Sequence, residues 1–230
     1  MATATVRYHV RPMDLGDISQ VMEIERESFL NMWPATAFKR DIQHNRLARY
    51  LVAVEQREEG EEAIPPPTER EPRGAPMPPP RLGRWVGELK RLFGVEEEEG
   101  AETSREPVVG FVGVWLMADE AHIVTIAVRE SHRGRGIGEL LLIAAIELAA
   151  LDGREVVTLE VRASNQAAQA LYEKYGFRKV GVRHRYYSDN QEDAVIMTTD
   201  SIYSAAYQDL WQRLRQEHRE RCGHYELDFS

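Results

Sequence analysis

Six consecutive residues concentrate the most suggestive chemistry in the chain: Arg133, Gly134, Arg135, Gly136, Ile137 and Gly138. They sit between a β-type run, HIVTIAV at 122–128, and a long apolar run at 140–151. Alternating glycines let the backbone turn sharply and approach a ligand without hindrance from Cβ atoms. A helix starting behind them offers unpaired N–H groups and the positive end of its dipole. With two arginines beside it, the turn reads as an anion cradle, and phosphate is its natural guest. The G-x-x-x-x-G-K-S/T pattern of a P-loop is absent. A dinucleotide fingerprint does not fit either, because the spacing is G-x-G-x-G and the surrounding strands do not alternate regularly with helices. A glycine-rich helix start with exposed arginines is the competing reading.

The elements that must position this turn follow from hydrophobic periodicity. A strand at 5–10 is closed by Arg11-Pro12, and Ile18, Val21, Met22, Ile24 and Phe29 recur at helical intervals over 17–29. A second short helix is expected at 37–44 and a strand at 49–55. Strands are expected at 108–117 and 122–128, then the glycine turn, then the helix at 140–151, stopped at Asp152-Gly153. A strand at 155–161 leads into a helix at 165–175 with Asn165 as its N-cap and Gly176 just past its end. A long strand pair is expected at 177–187 and 194–199.

Composition bounds the rest. The chain has 230 residues, 38 acids against 29 bases and a formal charge of −9, which argues against a general affinity for nucleic acid or anionic lipid. That charge is unevenly placed: residues 55–107 hold 9 of the 11 prolines and 14 of the 38 acids, so the acidity belongs mainly to an interruption. Such a segment buries too little apolar area to offset the entropy of ordering, and most of it is expected to be disordered or extended. Within it Leu82, Trp85, Val86, Leu89 and Phe93 outline an amphipathic helix at 81–93. One cysteine, Cys222, excludes a disulfide framework and a zinc finger. The longest apolar stretch, 108–118, is far shorter than the ~20 residues a bilayer needs, and the first residues lack the apolar core of a secretory signal. A cytoplasmic protein without a membrane span is expected.

The order strand, R-x-x-G-x-G, long helix, strand and Asn-capped helix ending ALYEKYGF resembles the acetyl-CoA-dependent N-acetyltransferases of the GNAT superfamily. LEVRASN at 159–165, ALYEKYGF at 170–177, RHRYY at 183–187 and EDAVIM at 192–197 resemble more specifically the ribosomal-protein-alanine N-acetyltransferase (RimI) family. The resemblance covers 1–54 and 108–201 as one domain, and leaves out the 55–107 insertion and a C-terminal extension at 202–230. It implies a mixed α/β (α+β) GNAT fold, with a central, mostly antiparallel twisted sheet flanked by helices. It also implies that backbone groups of Ile126, Ala127 and Val128 pair with the pantetheine arm and that 134–139, Gly134 to Glu139, bind the pyrophosphate through amides. Asn165 would bond the cofactor near its thioester, with Glu160 as general base and Tyr172 as general acid. Trp33, Tyr186 and Tyr187 would border the peptide, with Pro34 standing where the family pattern has a Ser able to cap the next helix.

Elementary chemistry is compatible with those roles. An α-amino group with a pKa of about 8 must lose a proton before it attacks a thioester. A carboxylate at a strand end can take that proton, especially if burial raises its pKa. A phenol can donate to the leaving thiolate. Cys222 lies outside the matching domain and no nucleophile elbow is present, so direct transfer is expected over a covalent route. His122, His132 and His184 lack ligand spacing and are read as ordinary histidines, and no catalytic metal is assigned. His218, Cys222 and His224 could share only an adventitious ion, far from the matched motifs. In the tail, Tyr203, Tyr207, Leu210, Trp211 and Leu214 form a helical stripe expected to pack on the domain or on the insertion helix, with a dimer contact as the alternative.

The expected activity is acetyl transfer from acetyl-CoA to the N-terminal α-amino group of a protein, with a small-subunit ribosomal protein beginning in alanine as the acceptor the resemblance implies. A lysine side chain or small amine as acceptor, and a non-catalytic acyl-CoA-binding module, remain open alternatives.

Overall fold

In the computed structural model, which describes residues 7–29, 33–56 and 106–230, the apolar runs assemble into one eight-stranded sheet. Its strands are β1 (Arg7–Pro12), β2 (Ala48–Gln56), β3 (Val108–Met117), β4 (Glu120–Val128), β5 (Val156–Arg162), β6 (Phe177–Tyr187), β7 (Glu192–Thr199) and β8 (Tyr225–Leu227). They lie in the order β6-β7-β5-β4-β3-β2-β1-β8. Pairing is antiparallel except between β4 and β5 and between β1 and β8. The amphipathic helix at 81–93 and nearly all of the acidic segment lie outside the described residues. Its flanks are adjacent, because Glu55 N–H donates to Pro107 O at 3.1 Å.

Among the described residues five α-helices flank the sheet: α1 (Ile18–Ser28), α2 (Ala35–His44), α3 (Ile137–Leu151), α4 (Gln166–Lys174) and α5 (Ala205–Cys222). Val21, Ile24 and Phe38 from α1 and α2 pack with Tyr50, Val52 and Phe111 in one apolar cluster. Leu140, Leu141 and Ile143 of α3 pack with Val112, Ile123 and Leu159 in another. Almost every side chain of α3 is buried, which a helix apolar on all sides requires. The sheet covers only part of it, and the C-terminal helix α5 packs against it as well.

The tail stripe is therefore covered by the chain itself: Tyr207, Trp211 and Leu214 are buried in the same cluster as α3. Tyr203 departs from the expected stripe. Its ring is 47 % exposed, with the hydroxyl donating to Ala150 O at 2.9 Å. Strand β8 was not anticipated, since three residues carry no periodicity, yet it extends the sheet beside β1. No described helix is long and apolar enough to cross a membrane.

Candidate active site

The sheet opens where the chemistry is expected. β4 and β5 pair over Glu120 to Ile123 against Val156 to Leu159, and no further. At that point β4 carries an irregularity: Thr125 faces Gly113 and Ile123 faces Val114, so Val124 has no partner on β3. Beyond it β5 continues against β7 through Glu160, Val161 and Arg162. Residues 125–128 of β4 thus keep β3 on one side and face a gap on the other. An unpaired strand edge presents N–H and C=O groups to any extended chain that enters. Ile126, Ala127 and Val128 lie on this edge.

The glycine turn sits at the same end of β4. Gly134 and Gly136 have φ of +77° and +84°, the left-handed region that glycine adopts without steric cost. A Cβ on Gly134 would meet nothing within 4 Å, so that face of the turn is open to a ligand. Leu140 N–H is the first to bond back, to Gly136 O at 2.9 Å. The N–H groups of Ile137, Gly138 and Glu139 have no partner within the helix. The two arginines differ. Arg133 is turned to the end of α1, where its guanidinium donates to Val128 O, Glu27 O and Ser28 Oγ, each at 3.2 Å. It braces the turn. Arg135 is exposed and, with Tyr8, Gly134, Gly136, Arg221, Cys222 and Gly223, lines an open cavity of about 460 Å³. Neither Glu160 nor Tyr172 borders that cavity.

The side chain of Glu139 points away from the turn. It accepts from Lys174 Nζ at 2.7 Å and Tyr175 OH at 2.8 Å, and also pairs with Arg221. Burial pushes its pKa up, but the donors outweigh burial and hold it at about 2. The first turn of α3 is thereby tied to the end of α4 and the end of α5.

Glu160 stands on β5 between the buried Leu159 and Val161, with its side chain on the opposite face. Its carboxylate is 7 % exposed and meets His122 Nε2 at 2.6 Å and Arg183 Nη2 at 3.0 Å. The hydrogen bond from His122 is the largest influence and lowers the Glu160 pKa. Burial opposes it and the charges of His122 and Arg183 reinforce it, so the net shift is downward. Burial thus acts in the direction considered from sequence, but the net shift is opposite to it. The contact with Glu160 corrects the reading of His122 as an ordinary strand histidine, and its Nδ1 lies 3.6 Å from Glu120. Position His122 faces Thr158 in the parallel pairing, so alternation puts His122 and Glu160 on one face. That relation is visible only once β4 and β5 are known to be parallel neighbours.

Tyr172 on α4 is 5 % exposed, packs on Phe177 with ring centroids 5.8 Å apart and makes no hydrogen bond to a described residue. Burial, and secondarily Tyr187, raise its pKa. Tyr187 in turn feels the charge of Glu160. Its own pKa is pushed up to about 12, chiefly by burial. Arg162 lies over its ring at 3.9 Å and is itself held by Asp189 at 2.7 Å and Glu192 at 3.2 Å. Glu192 also accepts from Ser164 N–H at 2.7 Å, which fastens the β6–β7 hairpin to the turn before α4. Arg162 and Glu192 went unassigned from sequence, although both fall inside the quoted motifs. Tyr186 is 47 % exposed beside Tyr187.

Asn165 is the N-cap of α4. Its Oδ1 accepts from Ala168 N–H at 3.1 Å, which leaves the amide NH₂ as the group available to a ligand. Trp33 has Phe38 and Trp115 as its ring neighbours, at 6.1 and 6.5 Å, and not the tyrosine pair. Pro34 begins α2 without a side-chain cap. Trp33 N–H is instead held by Glu25 Oε2 at 3.2 Å. Glu25 was not foreseen. It is 2 % exposed, and burial lifts its pKa to about 6 while the Trp33 N–H works against the rise.

Because this value exceeds the ordinary 4.5, the folded state holds the proton more tightly than the unfolded chain. Stability therefore falls as pH rises through that window, by about 2 kcal/mol between roughly pH 4 and pH 7. Glu25→Gln is expected to remove this slope in urea midpoints measured across that range. An unchanged slope would show that Glu25 is not the titrating group.

Comparison with known proteins decides the family. The Acetyltransferase (GNAT) family model matches residues 61–177. A Bacillus subtilis protein provisionally named as a ribosomal protein bS18-alanine N-acetyltransferase is 32% identical over 188 residues, spanning 82% of this chain and 92% of that one. The chain belongs to the GNAT acetyltransferase family. The ribosomal protein bS18-alanine N-acetyltransferase of Salmonella typhimurium is 43% identical over 115 residues, which are 47% of this GNAT chain and 76% of the relative. The crystal structure of the Escherichia coli ribosomal-protein-S18-alanine N-acetyltransferase has the same fold. It superimposes with a TM-score of 0.57 at 22% identity and covers 86% of this chain and 97% of that one.

Proposed function

We propose that this GNAT enzyme transfers acetyl from acetyl-CoA to the N-terminal α-amino group of a protein, with an alanine-initiated small-subunit ribosomal protein as the acceptor. The names of the B. subtilis and S. typhimurium relatives support the acceptor. The observation that carries the chemistry is the buried, ionised Glu160, set where β5 parts from β4.

The residues present suit acetyl-CoA. The open face at Gly134, the free amides of Ile137, Gly138 and Glu139 and the exposed Arg135 fit a pyrophosphate, and the unpaired edge at 126–128 fits an extended amide arm. When bound, acetyl-CoA supplies the activated acetyl thioester. Glu160 takes the proton of the incoming ammonium, directly or through one water, at Oε1, the oxygen that His122 leaves and that Arg183 also faces. His122 fixes the carboxylate and, reinforced by Arg183, keeps it ionised. Tyr172, a phenol that is protonated at neutral pH, donates to the departing sulfur. Tyr186, Tyr187 and the loop before Trp33 border the peptide. The enzyme is placed in the cytoplasm, where ribosomal proteins are made, and its reaction uses no metal.

Mass spectrometry of an extract incubated with enzyme and labelled acetyl-CoA tests the acceptor. Label on the α-amino group of a ribosomal protein beginning in alanine is expected. Label confined to lysine side chains or small amines would overturn the assignment.

A further inference from the structure

The tail was expected to lie far from the matched motifs, and it does not. His218 and Cys222, in the last turns of α5, rest directly on the glycine turn. His218 is 1 % exposed and its Nε2 lies 3.0 Å from Gly136 O. A carbonyl only accepts, so Nε2 carries the proton, and Nδ1 is left buried with no partner among the described residues. Burial lowers the His218 pKa, so the ring is neutral at neutral pH. Cys222 Sγ would lie 2.4 Å from a Cβ on Gly136, closer than any side chain tolerates. The tail therefore packs on bare backbone at the residue whose left-handed conformation shapes the turn. One turn further into α3, Arg221 pairs with Glu139, which also holds Lys174 and Tyr175 at the end of α4.

We propose that the end of α5 is a built-in clamp of the cofactor turn: His218, Arg221 and Cys222 hold residues 134–139 in the conformation that presents their amides to the pyrophosphate of acetyl-CoA. This rests on the reading of the turn as the acetyl-CoA site. These are positioning residues, since His218 acts through Gly136 O and Arg221 through Glu139. Two of the five partners of that carbonyl and carboxylate set, His218 and Arg221, come from the tail. The carbonyl has two lone pairs, and the helix uses one for Leu140 N–H while the tail takes the other. Without the tail, the turn keeps its glycines but loses the contacts that select one of their many conformations.

The test is the acetyl-CoA dependence of the full-length enzyme and CoA binding by calorimetry. His218→Leu fills the space but cannot donate, and is expected to raise the acetyl-CoA KM and the CoA Kd about tenfold while changing kcat by less than about twofold. His218→Gln, whose side-chain amide can donate to Gly136 O, is expected to recover most of that loss. Arg221→Gln, at a half-exposed position that should not prevent folding, is expected to raise the KM about threefold. Arg213→Gln, on the exposed face of the same helix, should change nothing. A folded His218→Leu variant with wild-type CoA affinity would overturn the proposal, as would His218→Gln failing as badly as His218→Leu. A wild-type enzyme that does not bind CoA would overturn the reading of the site and the clamp with it.

Discussion

Replacing Glu160 by Gln is expected to lower kcat by about 10²–10⁴-fold at neutral pH while leaving the acetyl-CoA Kd within about twofold. The amide keeps the shape of the side chain and one acceptor oxygen where the carboxylate offers Oε2 to His122 and Oε1 to Arg183, and it cannot take the proton of the ammonium. The pH dependence sharpens this. With its pKa held below the ordinary value by His122 and Arg183, Glu160 is already ionised well below neutrality. The rise of wild-type kcat/KM toward alkaline pH should therefore follow the acceptor amine, near its own pKa of about 8, and not a carboxylate. In the variant the residual rate should climb with hydroxide through that range. Tyr172→Phe should slow turnover less severely, because water can replace a proton donor to a good leaving group, and it should leave CoA binding intact. Steady-state kinetics and calorimetry on the two variants separate the roles. A Glu160→Gln enzyme that turns over normally would remove Glu160 from the mechanism and favour a neighbour such as His122.

Gly136→Asp is expected to raise the CoA Kd by about 100-fold or more. Three effects act together at this position. Its φ of +84° disfavours a side chain, although Asp and Asn tolerate that region better than most residues. The new Cβ would be driven into Cys222 Sγ, which must move or push the turn out of place. The carboxylate also adds a negative charge to the turn read as the phosphate site. Gly136→Asn shares the first two effects and lacks the charge, so it should cost about tenfold, the remainder being electrostatic and salt-dependent. Equal losses for Asp and Asn would show that no anion binds there. Wild-type affinity in both would show that the turn is not part of the cofactor site.

Local patterns in the sequence account for most of the architecture. Asn165 caps its helix and Gly176 closes it with φ of +80°, as the spacing implied. Alternation along β5 placed Glu160 opposite Leu159 and Val161. The stripe on the tail, expected to pack on the domain or on the insertion helix, packs in the same cluster as the all-apolar α3. What escaped was set by contacts distant in sequence. The bond between His122 and Glu160 spans two strands whose parallel pairing carries no local signature. The ring of Tyr187 is framed by Arg162, Asp189 and Glu192, whose individual spacing is that of ordinary surface charges. His218 and Cys222 looked remote because 82 residues and a change of fold element separate His218 from Gly136. Glu25 was invisible because a glutamate in a charged helical run reads as solvated until its burial is seen.

The acceptor atom is the central claim, and one assay addresses it most directly. Full-length enzyme is incubated with acetyl-CoA and either free peptides beginning in alanine or the same peptides with a blocked N-terminus and an internal lysine, and the acetylated atom is located by fragmentation. Acetylation of the α-amino group of the free peptides, with the blocked set untouched, is the expected result. Activity on the blocked set alone would contradict it.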